Sequence, residues 1–176
     1  KFNIFITSFY VNFLIKRNLF MKGFRISNFC EINNPTQISF GTNLNIKSGA
    51  IINCQNENHE KSLIIGNNCK FGRDLQINAY GKVQINNDVL IADRVHISDA
   101  THFYKKNEAI INQGSGFAGP VIIEDGVWLG INCVILPNVR IGKNSVIGAN
   151  TVVNKNVPEN SIAVGTPMRI LKKNED

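Results

Sequence analysis

Residues that could bind a metal or cross-link the chain are scarce. The 176 residues include three histidines (His59, His96 and His102) and four cysteines. The cysteines show neither disulfide nor metal-site spacing. Cys54, Cys69 and Cys133 instead fall in the small slot of a repeat described below and are expected to be buried thiols, which fits a reducing, cytoplasmic compartment. A long uninterrupted apolar run is also missing. Phe2, Phe5, Ile6, Phe9, Tyr10, Phe13 and Leu14 recur at helical spacing, but Asn3, Thr7, Ser8 and Asn12 interrupt them, which makes a poor membrane span. No small-residue cleavage site follows, which argues against a signal peptide. Lys1 in place of Met suggests that the natural N-terminus is missing. No nucleic-acid motif is present. The formal net charge of +6 suits an anionic ligand or surface and is equally met by solvated Lys and Arg.

What the chain has in abundance is a six-residue period. From Ile123 onward an aliphatic residue opens each unit: Ile123, Leu129, Ile135, Ile141, Ile147 and Val153. A small or β-branched residue fills the fifth slot: Val127, Cys133, Val139, Ser145, Thr151 and Val157. The fifth slot lies two positions before the next opener, so both point to the same side of one extended strand. Gly or Asn occupies the turn slots (Gly126, Gly130, Gly142, Gly148, Asn138, Asn144, Asn150), where a left-handed backbone is cheap. A hexapeptide period of this kind predicts an all-β parallel β-helix with an aliphatic ladder inside.

Upstream the period is looser. Ile38, Leu44 and Ala50 are expected to open units whose fifth slots hold Thr42, Ser48 and Cys54. Ile65, Phe71 and Ile77 follow with Cys69, Leu75 and Gly81. A two-residue slip at Tyr80-Gly81 reads as one longer turn, after which Ile85, Ile91 and Ile97 carry the frame with Val89, Val95 and Thr101. The pattern stops at His102 and resumes at Val121 or Ile123, leaving 103–120 as an inserted loop, a length that in a regular solenoid points to function or disorder. The expected division is an amphipathic helix over 1–22, a β-helix over 23–158 and a tail over 159–176. The helix either packs on the solenoid or rests on an anionic membrane face, since Lys16, Arg17, Lys22 and Arg25 follow its aromatic residues.

His102 ends the last unit before the insertion. A lone loop histidine is ordinarily solvated, but a rigid coil delivers this one to the mouth of an insertion, where a general base would be placed. His96, in a sixth slot, and His59, in a polar stretch, read as surface residues.

The repeats, Asp99-Ala-Thr-His102 before a loop, Val127-Trp-Leu-Gly130 and the ending Val164-Gly-Thr-Pro-Met-Arg169 together resemble the left-handed β-helix acyltransferases. Within them the chain is most similar to the galactoside, maltose and polysaccharide O-acetyltransferases. The similarity spans about 38–172. Left-handed winding is implied by the resemblance alone, because generic parallel crossovers favour the opposite hand. The resemblance implies acetyl-CoA as co-substrate, no metal, a sugar hydroxyl as acceptor and a homotrimer whose clefts lie between neighbouring coils. It makes His102 the base. It puts Asp74 where relatives often carry an Asn that contacts the acceptor, so Asp74 is either that contact or a turn carboxylate. Asp99 is a candidate to orient the imidazole or to contact the acceptor. Trp128 matches the tryptophan beside the pantetheine arm; the other reading packs it across a subunit contact. Gly130, Ile131, Gly148 and Ala149 match backbone positions along that arm, with Ile131 replacing a frequent Ser. Asn154 and Lys155 match the next contact pair. Arg169, Lys172 and Lys173 match a basic tail near the phosphates of CoA, with a merely solvated tail as the alternative.

Other readings stand beside this one. The three histidines could serve a zinc site of the γ-carbonic anhydrase type, although His96 and His102 are six apart where that family's near pair is five apart. A non-catalytic β-helix is another. Within the enzyme reading, an amino-sugar N-acetyltransferase competes, because the same base serves an amine.

Overall fold

The computed structural model of the protein describes residues 23–172 apart from 28 and 59. The helix expected over 1–22 and the basic residue Lys173 lie outside the described residues. Within them the chain winds into a three-sided coil. One face is an eight-stranded sheet: Arg25–Ile26, Asn45–Ile46, Lys70–Phe71, Leu90–Ile91, Trp128–Leu129, Val146–Ile147, Ser161–Val164 and Arg169–Lys172. The second face has six strands, Glu31–Asn33, Ile51–Cys54, Gln76–Ala79, His96–Ser98, Val134–Ile135 and Val152–Val153. The third has five, Ile38–Phe40, Leu63–Ile65, Val83–Ile85, Val121–Ile123 and Val139–Ile141. Every pairing within the coil is parallel, and only the last strand of the first face turns back antiparallel onto Ser161–Val164.

The period of six follows from this shape. Each face uses a short strand and each corner a turn, so like positions stack one coil above another. Ile77 pairs with Ile97, which pairs with Ile135, which pairs with Val153. On the third face Ile65, Ile85, Ile123 and Ile141 form the same kind of column. These side chains are fully or almost fully buried and make one continuous core.

The upstream frame differs from expectation by two residues. Leu44 and Ala50 are buried, but as fifth-slot residues; Ile46 and Ile52 are the openers, paired with Phe71 and Ile77. Thr42 is exposed and Ser48 half-buried. Leu44–Ile46 and Ala50–Ile52 are both i, i+2 pairs, so either member satisfies the apolar pattern and only stacking on the next coil picks the register. Thr101 also lies outside the coil, on an exposed strand.

The corners divide their work between two residue types. Asn43, Asn68 and Asp88 sit at left-handed φ, and each amide donates to the next side chain up the stack, Asn43 to Asn68 at 3.0 Å and Asn68 to Asp88 at 3.1 Å. Gly126, Asn138, Asn144 and Asn150 also have positive φ, but Gly130, Gly142 and Gly148 do not. Gly130 and Gly142 are required by close approach: a Cβ on Gly142 would run into the backbone of Pro158 and Glu159 in the coil above, whereas one on Gly148 would meet only the tip of the Val164 side chain.

Candidate active site

The chain leaves the coil earlier than position 103. Directly after Ser98, Ala100–His102 pairs antiparallel with Ser115–Phe117, so the excursion is a two-stranded ribbon with its tip between. Asp99 forms its root. The residue is completely buried, and its carboxylate accepts backbone N–H groups from Tyr80 (2.7 Å), Gly81 (2.9 Å) and Lys82 (2.6 Å). Its own carbonyl accepts the N–H of Ala118 at 2.7 Å. The longer turn at Tyr80-Gly81 presents these donors away from the regular ladder, and Asp99 satisfies them while tying both ends of the ribbon to the coil. This corrects the expectation that Asp99 orients the imidazole or touches an acceptor: its side chain is enclosed and committed to the backbone. The sequence signal that could have shown this is an Asp at the end of a coil unit, stacked over the one turn that is two residues too long.

His102 stands directly across from Ser115 and is exposed. Ser115 Oγ donates to the Tyr80 hydroxyl at 3.3 Å. Phe117 lies against Gly81 and Phe103 against Gly116, so closely that a Cβ on either glycine would meet the ring. At the tip, Gln113 accepts the N–H of Lys105 (2.6 Å) and donates to the carbonyls of Lys105 (3.0 Å) and Glu108 (2.8 Å). The histidine therefore sits on a braced ribbon.

A second group gathers at another edge. Trp128 is 48% exposed on the first face, stacked between Leu90 and Val146. At the adjoining corner Gly130 and Ile131 lie beneath Gly148 and Ala149, with Gly130 N–H donating to the Ile147 carbonyl and Gly148 N–H to that of Ala163, each at 2.8 Å. A Cβ on Gly130 would approach Ala149 N to 2.7 Å, so the coil itself demands a small residue there. Asp74 occupies the same corner lower down, exposed, at φ 55°, over Gly49. That is the conformation and place of a turn carboxylate.

His102 belongs to the opposite corner of the second face. Four-residue strands such as Gln76–Ala79 cross that face, a width of about 13 Å at roughly 3.3 Å per residue. Asn154 and Lys155 are exposed at the His102 corner, beyond Val153. Arg169 is exposed on the closing strand opposite Val164, and Lys172 pairs through its backbone position with Ser161. A single chain thus brings Trp128 together with Gly130, Ile131, Gly148 and Ala149, and keeps His102 apart from them.

His96 lies on the outside of the second face with Nδ1 3.3 Å from Gln76 Oε1, and burial lowers its pKa from the usual 6.5. Burial raises the thiols of Cys54, Cys69 and Cys133. Among the described residues no three His, Cys, Asp or Glu side chains converge as a metal site would require. No helix among them is long and apolar enough to cross a membrane.

The bacterial transferase hexapeptide (six repeats) family model matches residues 120–155. The galactoside O-acetyltransferase of Lactococcus lactis is 40% identical over 92 residues, 52% of this chain and 44% of that protein. The chain thus matches less than half the length of that relative. The Escherichia coli protein WbbJ, which bears the name of a lipopolysaccharide biosynthesis O-acetyl transferase, is 30% identical over 163 residues, 88% of this chain and 82% of that one. A hexapeptide-repeat acetyltransferase from Vibrio cholerae, solved with acetyl coenzyme A, superposes with a TM-score of 0.63 at 26% identity, covering 93% of this chain and 76% of its own. With its stacked coil, corner turns and six-residue period, the chain belongs to the hexapeptide-repeat acyltransferases and shares their left-handed parallel β-helix.

Proposed function

We propose that this chain is an acetyl-CoA-dependent O-acetyltransferase that modifies a sugar hydroxyl during the building of a surface polysaccharide such as capsule or O-antigen. His102 acts as general base. Its neutral imidazole takes the hydroxyl proton as that oxygen attacks the thioester carbonyl of acetyl-CoA. The C–S bond then breaks, the acetyl group remains on the sugar oxygen as an ester, and the thiolate recovers the proton from the imidazolium. The observation that carries this reading is the placement of an exposed histidine on a ribbon whose root is bolted to the coil by Asp99.

Trp128 offers a flat apolar wall for the pantetheine arm, and the corner of Gly130, Ile131, Gly148 and Ala149 a narrow backbone edge for it to follow. Arg169 supplies a positive group towards the CoA phosphates, a role that Arg suits well, with Lys172 following it on the same strand. Asn154 and Lys155, at the His102 corner, meet the donor from the neighbouring copy's side of the cleft. Because the Trp128 edge and the His102 edge are different corners of one prism, the working cleft joins edges of neighbouring copies in a homotrimer. The acetyl-CoA held by the Vibrio cholerae relative supports the donor, and the WbbJ name supports the polysaccharide setting. The aromatic and basic residues of 1–22 fit a peripheral place on the inner membrane face, where such polymers are assembled.

The test follows free thiol release from acetyl-CoA with a panel of sugar acceptors. His102→Ala should lower the acetylation rate by about 10²–10⁴ and leave CoA binding and the trimer intact. A variant that retains the wild-type rate overturns the assignment.

A further inference from the structure

Beside the ribbon root lies a cavity that the chemistry above leaves unused. Its volume is about 710 Å³, within the roughly 300–1,000 Å³ of small-molecule sites. Tyr80, Phe103 and Phe117 line it together with the turn 55–58. That turn is braced from behind. Gln37, only 4% exposed, accepts the N–H of Asn56 at 2.9 Å and donates to its carbonyl at 3.0 Å. Asn34 donates to the Cys54 carbonyl at 2.6 Å, and Asn56 Oδ1 accepts the N–H of Asn58 at 2.9 Å.

With the turn held by those groups, the side chains of Gln55, Glu57 and Asn58 are left over. They line the cavity, are exposed, and make no hydrogen bond among the described residues. Their chemistry is selective. Among the described residues the lining has one carboxylate, Glu57, and neither lysine nor arginine. Among the described residues of the lining a phosphate or diphosphate finds no charge-assisted donor and faces a like charge. Ring hydroxyls are served instead, because amides donate and accept while a carboxylate accepts, and the aromatic wall covers the apolar edge of a ring. The position also fits. Ser115 lines the cavity, and His102 is its directly opposed cross-strand neighbour, so the two side chains emerge on the same face of the ribbon.

The geometry points to this cavity as the acceptor subsite, taking an uncharged carbohydrate presented as a free sugar or glycoside and not through a nucleotide diphosphate. The assignment rests on the acyl-transfer reading, and its test separates the two. Maltose and lactose serve as uncharged probes and UDP-glucose as the phosphate-bearing one. Their equilibrium binding to the full chain is measured without acetyl-CoA, and acetyl transfer is measured separately by thiol release. Asn58→Ala and Phe103→Ala alter exposed side chains and leave the coil intact. Each should weaken sugar binding and raise the acceptor KM together by about tenfold, with the KM for acetyl-CoA unchanged. UDP-glucose should bind no more tightly than the uncharged sugars. Sugar binding that is indifferent to both variants, or tighter binding of UDP-glucose, overturns the subsite. A wild-type chain that binds the sugars through these side chains yet acetylates none of them supports the subsite and overturns the acyl-transfer reading instead.

Discussion

The Asp99 carboxylate accepts the backbone N–H of Lys82 at 2.6 Å, and with it those of Gly81 and Tyr80. One buried side chain thus holds the turn of one coil and the root of the ribbon that carries His102. Asp99→Asn keeps the shape but replaces one acceptor oxygen with a donor facing other donors. The expected loss is about 3 kcal/mol of unfolding free energy, measured by denaturant titration. Acetyl transfer should fall along with it, because the ribbon loses its anchor. A stability change below about 1 kcal/mol would mean that the turn finds other partners.

Trp128 stands alone as an indole in the chain, half exposed above Leu90. If it forms the donor wall, Trp128→Ala should raise the KM for acetyl-CoA by about tenfold, equivalent to ~1.4 kcal/mol, and leave the acceptor KM near its wild-type value. A changed oligomeric state with an unaltered donor KM would identify it as a subunit contact.

His96 supplies a pH dependence of stability. Burial holds its folded-state pKa below the usual 6.5. Below that pH the unfolded chain binds a proton that the folded chain resists, so stability falls as the pH is lowered through this range. The decline levels off once the folded imidazole is protonated too. His96→Gln should flatten this part of the profile, with denaturation midpoints between pH 5 and 7.5 as the readout. An unchanged slope would place the titrating group elsewhere.

Gly72 tests the close-approach role of the corner glycines. A Cβ there would run into the backbone of Ala92 and Asp93 in the next coil, although its φ is not left-handed. Gly72→Ala should destabilise the protein by roughly 1–3 kcal/mol, visible as a lower denaturation midpoint. A neutral outcome would show that neighbouring coils separate more easily than their hydrogen-bond ladders suggest.

The downstream half of the coil was legible because Ile123 to Val157 repeat without interruption and each opener is buried where expected. The upstream register was not. At Leu44–Ile46 and Ala50–Ile52 two apolar residues stand two apart, and only their pairing with Phe71 and Ile77 shows which one opens the unit. The slip at Tyr80-Gly81 was visible as a longer turn, but its partner Asp99 lies 18 residues or so along the chain, beyond any local pattern.

The sequence by itself determined the repeating coil, because a six-residue alternation of aliphatic and small side chains can bury itself only by stacking parallel strands. Folding decided what surrounds His102. The antiparallel ribbon, the enclosed Asp99 and the cavity lined by Tyr80 and turn 55–58 arise from contacts between residues distant in sequence. Backbone groups at an irregular corner must find partners wherever the chain happens to pass, and that passage is a property of three dimensions.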